Sequence, residues 1–362
     1  MSGLNGAATV RERYLPTASS IWVSSVLALV VLTGAPGRAS ADGRLPKHIT
    51  PKTETAIARG MQYLARTQAR DGSWRNEGRY GRYPVAMSSL AGLALAMGGN
   101  TPTQGKYAPQ VDRVVKYLLG SATSSGLISR GAEDARPMYG HGFSMLLLGQ
   151  LYGMEEDVRR QRRIKEVLDG GIELTSRSQS RLGGWIYRPF TGGDEGSVTI
   201  TQVQALRSCR NAGLAVPKEV IDAAMKYLEI SSNSDGGIAY RAGQRGPSRP
   251  PITAAAVCCW FNAGQYDHPL AKRALEYAKR HIHVSGVGQG HYFYAHLYLA
   301  QALYLAGKGE WDAYFPKMRD QLLVLQREDG SWAGDYVGPV YDTAIALIIL
   351  QLPYNQLPIM QR

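Results

Sequence analysis

The sequence has 362 residues, an apolar fraction of 44% and a formal net charge of +12 at pH 7. This composition excludes an intrinsically disordered chain, and without a dense Lys/Arg run the positive charge does not indicate a nucleic-acid partner. The three cysteines are an odd number, which excludes a disulfide framework and favours buried apolar roles for Cys209, Cys258 and Cys259.

The first predicted element is an export signal at residues 1–41. Two arginines precede an uncharged apolar stretch at residues 21–32, and alanines flank Ser40 in a small-x-small cleavage pattern. The stretch is short for a transmembrane helix. The alternative is an uncleaved signal that anchors the protein, and only in that case would we expect membrane association. We therefore predict a bacterial protein exported to the periplasm or the cell exterior, with residues 42–53 as a linker.

The remaining chain, residues 54–362, is an internal repeat with a period of roughly 50 residues. The fullest copy runs from Arg59 to Trp74, and degraded copies follow it along the chain. Each copy contains a glycine at the same place in the motif. These glycines are Gly72, Gly126, Gly183, Gly236, Gly286 and Gly330.

Each repeat predicts a pair of helices. The segment before the glycine has apolar residues at helical spacing on one face, as in Ile57, Met61 and Leu64, which predicts an outer helix. The segment after the glycine contains a run that is apolar nearly all round, which predicts an inner helix buried on two sides. Because the last run, residues 344–352, is among the most apolar, it needs cover from the first repeat. We predict an all-α protein, a closed (α/α)6 toroid, with an open solenoid as the alternative.

Residues 59–74 match the QW motif of squalene cyclases position for position, as Arg-Gly-x-x-Tyr-Leu-x-x-x-Gln-x-x-x-Gly-x-Trp. The chain therefore resembles the terpenoid cyclase and protein prenyltransferase superfamily over nearly everything from residue 54 onward. The resemblance implies the same toroid. It also implies that the motif is structural, with the Gln amide bonding helix-end backbone groups and the Trp ring packing over it. The corresponding residues here are Gln68, Trp74, Gln179, Trp185, Gln326 and Trp332.

The chemical motifs of that superfamily are incomplete in this chain. Class II cyclases use an Asp-x-Asp-Asp acid, of which Asp342 matches the last position, while Pro339 and Tyr341 replace the other acids. The acidic pair Asp194-Glu195 also falls short of the motif, because Gly196 and Ser197 follow it where a further acid is needed. The Asp-x-Cys of the zinc-binding prenyltransferases is missing, and Ala295 stands where their histidine is expected. We therefore expect no metal site and no cofactor, and Asp342 is the candidate catalytic acid.

The predicted inner helices all begin at one face, where their N-termini favour an anion. The loops that lead into them are rich in arginine: Arg79, Arg82, Arg130, Arg136, Arg188, Arg241, Arg245 and Arg249. His141 is the candidate proton carrier. The candidate ligand-binding residues are polar or aromatic side chains near these helix starts: Tyr139, Arg188, Thr199, Gln202, Arg249, His291, Tyr294, His296 and Tyr341. A solvated basic rim and ordinary core packing are the alternatives.

Three functions fit these features. The first is an exported toroid that holds a hydrophobic, isoprenoid-type ligand or a protein partner in its centre. The second is an active terpene or squalene cyclase with Asp342 as its acid. The third is a polysaccharide lyase or hydrolase, since arginines at the rim would neutralise uronate carboxylates.

Overall fold

The structure is a computed structural model that describes residues 45–75, 77–78, 81–244, 246–288 and 290–361. The predicted export signal at residues 1–41 lies outside the described residues. The first helix begins at Pro51, within the segment expected to be a linker, and the Thr50 side chain caps it by accepting a hydrogen bond from the Thr53 N–H.

The described residues form twelve α-helices in two concentric rings. The outer helices are α1 (Pro51–Thr67), α3 (Ala108–Gly120), α5 (Val158–Arg177), α7 (Lys218–Ile230), α9 (Pro269–His281) and α11 (Lys308–Leu325). The inner helices are α2 (Pro84–Met97), α4 (Pro137–Tyr152), α6 (Gly196–Asn211), α8 (Pro250–Asn262), α10 (Tyr292–Ala306) and α12 (Pro339–Gln351). A two-stranded ribbon, β1 (Glu77–Gly78) with β2 (Gly81–Arg82), precedes α2.

The inner helices follow from composition and from proline placement. Every residue of α2 is buried, as is nearly all of α12, because each inner helix packs against two inner neighbours and an outer helix. Four inner helices have proline as their first residue, where its fixed φ suits a helix start and its missing N–H is not needed. A helix that is apolar on all faces therefore belongs to the inner ring.

The ring is closed. Successive inner helices pack side by side in chain order, and the last of them, α12, packs against both α2 and α1. The predicted all-α, closed (α/α)6 toroid is confirmed, and the alternative of an open solenoid is wrong. No end of the stack is left exposed, so the apolar last repeat is covered by the first.

Three Gln/Trp pairs join neighbouring outer helices at the end where the inner helices begin. Gln68 Nε2 donates to the Gly72 carbonyl and to the Gln110 carbonyl in α3, each at 3.0 Å. Trp74 Nε1 donates to the Leu64 carbonyl at 2.9 Å. The other two pairs make the matching bonds, and the last of them closes the ring by joining α11 to α1.

Gly183 shows why the repeat motif requires glycine. Its φ is +92°, a conformation that L side chains rarely adopt, and an added Cβ would lie 2.1 Å from the Ala223 carbonyl of the next outer helix. Gly330 makes the same close approach to Arg59 across the seam of the ring. Gly72, Gly126 and Gly236 share the positive φ, whereas Gly286, the glycine assigned to the fifth copy, does not.

The opposite end of the ring is covered by the C-terminal segment. Leu357, Ile359 and Met360 are buried, and the Ile359 N–H donates to Gln150 Oε1 at 3.1 Å. This segment therefore packs over the C-terminal ends of α4 and α6. None of the helices in the described ranges has both the length and the hydropathy for a membrane span.

Candidate functional site

A cavity of about 570 Å³ opens at the end of the ring where the six inner helices begin. Its wall combines tyrosines, aliphatic side chains and a few cations. The lining residues are Tyr83, Ala86, Met87, Leu90, Arg136, Tyr139, Phe143, Tyr187, Ser197, Tyr240, Arg249, Pro250, Pro251, Ile252, Gly290, His291, Tyr294, Val337 and Tyr341.

Equivalent side chains near the starts of the inner helices accept hydrogen bonds from the repeat loops, behind the cavity wall. We call this the supporting position. In α2, Ser88 Oγ accepts a hydrogen bond from the Trp74 N–H at 2.9 Å. In α6, Thr199 Oγ1 accepts one from the Trp185 N–H at 2.9 Å, and in α4 His141 Nδ1 accepts one from the Ile128 N–H at 3.2 Å. Thr253 and Thr343 do the same in α8 and α12.

Two candidate residues from the sequence therefore occupy this supporting position. His141 is fully buried between α4 and α5, where its Nε2 lies 3.0 Å from Thr175 Oγ1, and burial lowers its pKa to about 4. Thr199 is equally buried. His296 is the fifth residue of α10, as Ser88 is of α2, and its Nδ1 lies 2.8 Å from the Tyr314 hydroxyl of α11. None of the three lines the cavity.

The position two residues earlier forms the cavity wall. Residues two apart lie on different faces of a helix, so when the supporting side chain faces the loops, the side chain two residues before it faces the centre of the ring. This holds in all six inner helices. The side chains that face the centre are Ala86, Tyr139, Ser197, Pro251, Tyr294 and Tyr341, and every one of them lines the cavity. The structure thus places the sequence candidates Tyr139, Tyr294 and Tyr341 together in one layer.

A buried carboxyl group lies behind this layer. The Tyr139 hydroxyl lies 2.6 Å from Ser197 Oγ and donates to Glu195 Oε1 at 3.2 Å, while Ser197 Oγ donates to Glu195 at 2.8 Å. Glu195 also caps α6, accepting from the Val198 N–H at 2.7 Å. Burial raises the pKa of Glu195, although its hydrogen bonds oppose that shift. This network fixes the orientation of Tyr139 in the wall.

The mouth of the cavity is cationic and aromatic. The Arg136 guanidinium lies 4.2 Å from the centre of the Tyr187 ring, a cation–π contact, and the Tyr187 hydroxyl is hydrogen-bonded to that of Tyr240. The exposed side chain of Arg249 and the side chain of His291 complete this edge. Because the inner-helix N-termini add partial positive charge here, the mouth favours an anion.

Asp342 is a loop support. Its Oδ2 accepts from the Gly334 N–H at 2.8 Å and the Asp335 N–H at 3.1 Å, and it does not line the cavity. Asp335 in turn caps α10, accepting from the Tyr292 N–H at 2.7 Å. Burial and the neighbouring Asp335 raise the pKa of Asp342 to about 8. The raised pKa favours the protonated carboxyl group at neutral pH; its Oδ2 contacts the loop, and its Oδ1 is buried without a hydrogen-bond partner among the described residues.

The structure separates the remaining candidates from the cavity. Gln202 Nε2 donates to the Met138 carbonyl at 2.8 Å and so joins α6 to α4. Arg188 is exposed and is not a lining residue. Arg79 and Arg245 lie outside the described residues. No group of three or more His, Cys, Asp or Glu within the described segments is arranged to hold a metal ion.

Sequence reasoning missed part of the wall. Tyr187 and Tyr240 come from irregular loops, where no periodicity indicates which side chains face inward. Ser197 and Pro251 were detectable, because each lies two residues before a threonine of its inner helix, Thr199 or Thr253, as Tyr139 lies two residues before His141. That register is the signal that would have found them.

Comparisons with known proteins agree on the fold. No protein-family model and no curated protein matches the chain. An α-1,6-mannanase of Salegentibacter sp. HEL1_6, in complex with α-1,6-mannotriose, superposes with a TM-score of 0.62 at 11% identity, over 84% of this chain and 99% of that one. The type II terpene cyclase MstE from Scytonema superposes with a TM-score of 0.59 at 14% identity, over 84% of this chain and 98% of that one.

The similarity to MstE supports the resemblance found in the sequence: the fold is that of a terpenoid cyclase-like α/α toroid. A glycosidase also shares it, with a TM-score of 0.59 at 12% identity, over 87% of this chain and all of that one. At these identities the similarity shows the fold alone, so the function has to be argued from the cavity.

Proposed function

We propose that this protein binds an anionic, hydrophobic ligand of isoprenoid type in its central cavity. The observation that carries the proposal is the composition of the cavity wall, which is aromatic and aliphatic below and cationic at the mouth. The complexes of MstE with geranylgeranyl dihydroxybenzoate and with merosterolic acid A support it, because that toroid holds terpenoid molecules.

The size and apolar lining of the cavity suit a small hydrophobic molecule. About 570 Å³ lies within the usual range for small-molecule sites. Leu90 and Phe143 lie one turn deeper than the wall layer, and Met87 and Ile252 flank it. Transfer of an isoprenoid chain from water to such a wall is favoured by roughly 25 cal/mol for each Å² buried.

The anionic end of the ligand would lie at the mouth. Arg249 is exposed there, and Arg136 is held over Tyr187 at the start of α4. An arginine fork can bind a phosphate or carboxylate through two hydrogen bonds, and the N–H groups of the helix starts add to the attraction.

Two catalytic alternatives have less support from the cavity. A class II cyclase needs its acid at the substrate, whereas Asp342 is bonded to the loop behind the wall. Glycoside hydrolysis uses a pair of carboxyl groups on either side of the scissile bond, and the described lining residues include no Asp or Glu. Binding is therefore the function that we propose, and catalysis is not part of it.

Calorimetric titration with geranyl phosphate, geraniol and polygalacturonate would test the proposal. We expect geranyl phosphate to bind, and geraniol to bind about tenfold more weakly because it lacks the charge. Arg249→Gln should weaken geranyl phosphate binding by a similar factor and leave geraniol unaffected. Arg181→Gln, at an exposed arginine that does not line the cavity, is the matched control. Binding of polygalacturonate alone would support the polysaccharide alternative.

We also propose that the mature protein is exported, on the evidence of the basic, apolar and small-residue order of residues 1–41. Fractionation of the source cells with mass spectrometry of the N-terminus would test this. An N-terminus at Asp42 in the periplasmic or extracellular fraction is the expected result. A cytoplasmic protein that starts at Met1 would contradict it.

A further inference from the structure

Exposed large apolar side chains are concentrated at one end of the ring. Among the described residues seven large hydrophobic side chains are exposed, and six of them lie at the end where the inner helices begin. These six belong to the last turns of outer helices or to the loops that lead into inner helices: Leu182, Phe190, Ile230, Tyr240, Val324 and Tyr336. The seventh, Val158, is the first residue of α5, and it is the last turn of α5 that lies at the mouth end. This uneven distribution indicates an interaction surface around the mouth of the cavity.

Two loops form the part of this surface that adjoins the cavity. Residues 178–195 lead into α6 and residues 231–249 lead into α8, and we call them the two mouth loops. The Ala242 N–H of the second loop donates to Asp194 Oδ1 of the first at 3.1 Å. The hydrogen bond between the tyrosine hydroxyls at the cavity mouth also joins one loop to the other. The two mouth loops therefore form one continuous surface.

Phe190, in the first mouth loop, is exposed and has an unfavourable backbone conformation. Its φ is +60°, in the left-handed region that bulky residues rarely adopt, and the residue is 56% exposed. Its ring contacts the Arg177 guanidinium, which lies 5.6 Å from the ring centre. Leu182 of the same loop is 41% exposed and lies beside Gly243 of the second loop, where an added Cβ would be 3.7 Å from its Cδ1. Backbone strain at an exposed aromatic residue is not offset by core packing, which indicates a contact outside the chain.

The exposed charge on the mouth loops is mainly positive. Three arginines are exposed and form no ion pair among the described residues: Arg181, Arg188 and Arg249. The two acids of the first loop, Asp194 and Glu195, are buried. In the second loop Asp235 is exposed, and its Oδ1 accepts from Ser248 Oγ at 2.7 Å. The surface therefore combines exposed apolar side chains with cations that lack a partner.

We propose that the two mouth loops dock this end of the ring onto a membrane that contains anionic lipid. Apolar and aromatic side chains enter the headgroup region of a bilayer, and arginines beside them are attracted to lipid phosphate. A bilayer is favoured over a protein partner, because exposed loop side chains of both kinds can enter headgroups without a matching shape, whereas a protein interface needs a contiguous, well-packed core.

Docking of the mouth loops goes beyond ligand binding and does not require it. Tyr187, Tyr240 and Arg249 belong to these loops and line the cavity, so docking places the cavity mouth at the lipid surface, from which a hydrophobic ligand can enter. The sequence predicts membrane association only through an uncleaved export signal, whereas this surface is independent of residues 1–41.

Sedimentation of the full chain with phosphatidylcholine vesicles, with and without phosphatidylglycerol, tests the docking surface. We expect binding to the vesicles that contain phosphatidylglycerol, and added salt should weaken it. The double variant Leu182→Ser with Phe190→Asn should bind these vesicles about tenfold more weakly, because it removes apolar surface from the bilayer. Arg181→Gln with Arg188→Gln should weaken binding by a similar factor and reduce its salt dependence. The export signal is the same in every variant, so these differences isolate the loops.

A control variant and two further measurements keep the test specific. Val158→Ser with Arg159→Gln removes an exposed apolar side chain and an exposed cation at the start of α5, and it should keep the wild-type affinity for vesicles. Phe190→Asn should unfold at the wild-type temperature or above it, because asparagine adopts the left-handed conformation more readily. In sedimentation velocity without vesicles, we expect the wild type to be a monomer.

Three results would overturn the docking surface. The first is a wild type that binds neither kind of vesicle, and the second is vesicle binding that is equal in the wild type and both double variants. The third is a wild-type dimer that the Leu182→Ser and Phe190→Asn substitutions dissociate, since the loops would then join two copies of the chain.

Titration with geranyl phosphate separates this inference from the proposed function. None of the four substituted side chains of the mouth loops lines the cavity, so both double variants should bind geranyl phosphate with the wild-type affinity. If the wild type binds geranyl phosphate but not vesicles, the docking surface is wrong and the proposed function stands. If it binds vesicles through the mouth loops but not geranyl phosphate, the proposed function is wrong and the docking surface stands.

Discussion

The two ends of the inner ring are held together in different ways. At the end where the inner helices begin, the centre is hollow, and the Gln/Trp pairs and repeat loops join the wall from outside. Toward the opposite end the centre is filled, first by the bond between Gln204 and Gln301 near the middle of α6 and α10, and then by the buried residues Leu357 and Ile359. A closed ring can therefore keep a cavity in its centre if packing and hydrogen bonds behind its wall hold the helices in place.

Substitution of Trp332 should produce the largest effect, because it removes an external support at the hollow end. The side chain is fully buried, and its Nε1 donates to the Leu322 carbonyl at 2.8 Å. Trp332→Ala should lower the free energy of unfolding by about 3–5 kcal/mol, as measured by urea denaturation. A loss below about 1 kcal/mol would show that the hollow end does not depend on this support.

A milder pair of variants isolates the hydrogen bond. Trp260, near the C-terminal end of α8, is also fully buried, but its Nε1 has no hydrogen-bond partner in the described chain. Trp332→Phe should therefore cost more stability than Trp260→Phe. Equal losses would mean that packing, and not the bond to the Leu322 carbonyl, explains the contribution of Trp332.

Substitutions at the filled end should cost less stability than Trp332→Ala. Their cost should depend on whether the partner of the substituted glutamine is left unpaired. Gln301→Leu removes the acceptor for Gln204 Nε2 and leaves a buried donor unpaired, which should cost about 1–3 kcal/mol. A double substitution of both glutamines by leucine should recover most of that loss, since no donor then remains unpaired. Denaturation of the two single variants and the double variant measures the coupling. Additive losses would argue against a structural role for the bond.

Much of the fold could be predicted from the sequence, because repeat period and helix apolarity are local signals. The period of the glycines and the all-round apolarity of residues 344–352 were sufficient for a closed ring of helix pairs. Closure depends on long-range contacts such as that between Gly330 and Arg59, but it follows from the need to cover the last inner helix.

The candidate site was harder to predict, because residue type does not reveal which side of an inner helix a side chain occupies. Tyr139 and His141 are two residues apart on α4, yet the first lines the cavity and the second supports a loop. A histidine beside a glycine resembled a proton carrier, whereas its alignment with Ser88 shows the same supporting contact in another repeat. Only the register of the hydrogen bonds distinguishes them.

Asp342 should give an effect on stability that depends on pH. Its pKa in the folded chain is about 8, above the ordinary value of 3.8, because burial and the nearby Asp335 disfavour the charged form. Between about pH 4 and pH 8 the unfolded chain has lost this proton and the folded chain has kept it, so stability falls as pH rises through that window. Below about pH 4 Asp342 makes its full contribution to the free energy of unfolding, and above about pH 8 that contribution is lost.

Asp342→Asn provides the test, because an amide oxygen can still accept from the Gly334 and Asp335 N–H groups without ionising. Other buried carboxyl groups with raised pKa values, including those of Asp134, Glu195 and Asp335, shift stability in the same direction in both proteins. The difference between wild type and variant isolates Asp342, and the variant should gain relative stability from pH 4 to pH 8 in urea denaturation. A constant difference would show that Asp342 is already ionised in the folded chain. Geranyl phosphate binding by this variant should remain at the wild-type level, since the carboxyl group supports the loop behind the wall and not the ligand.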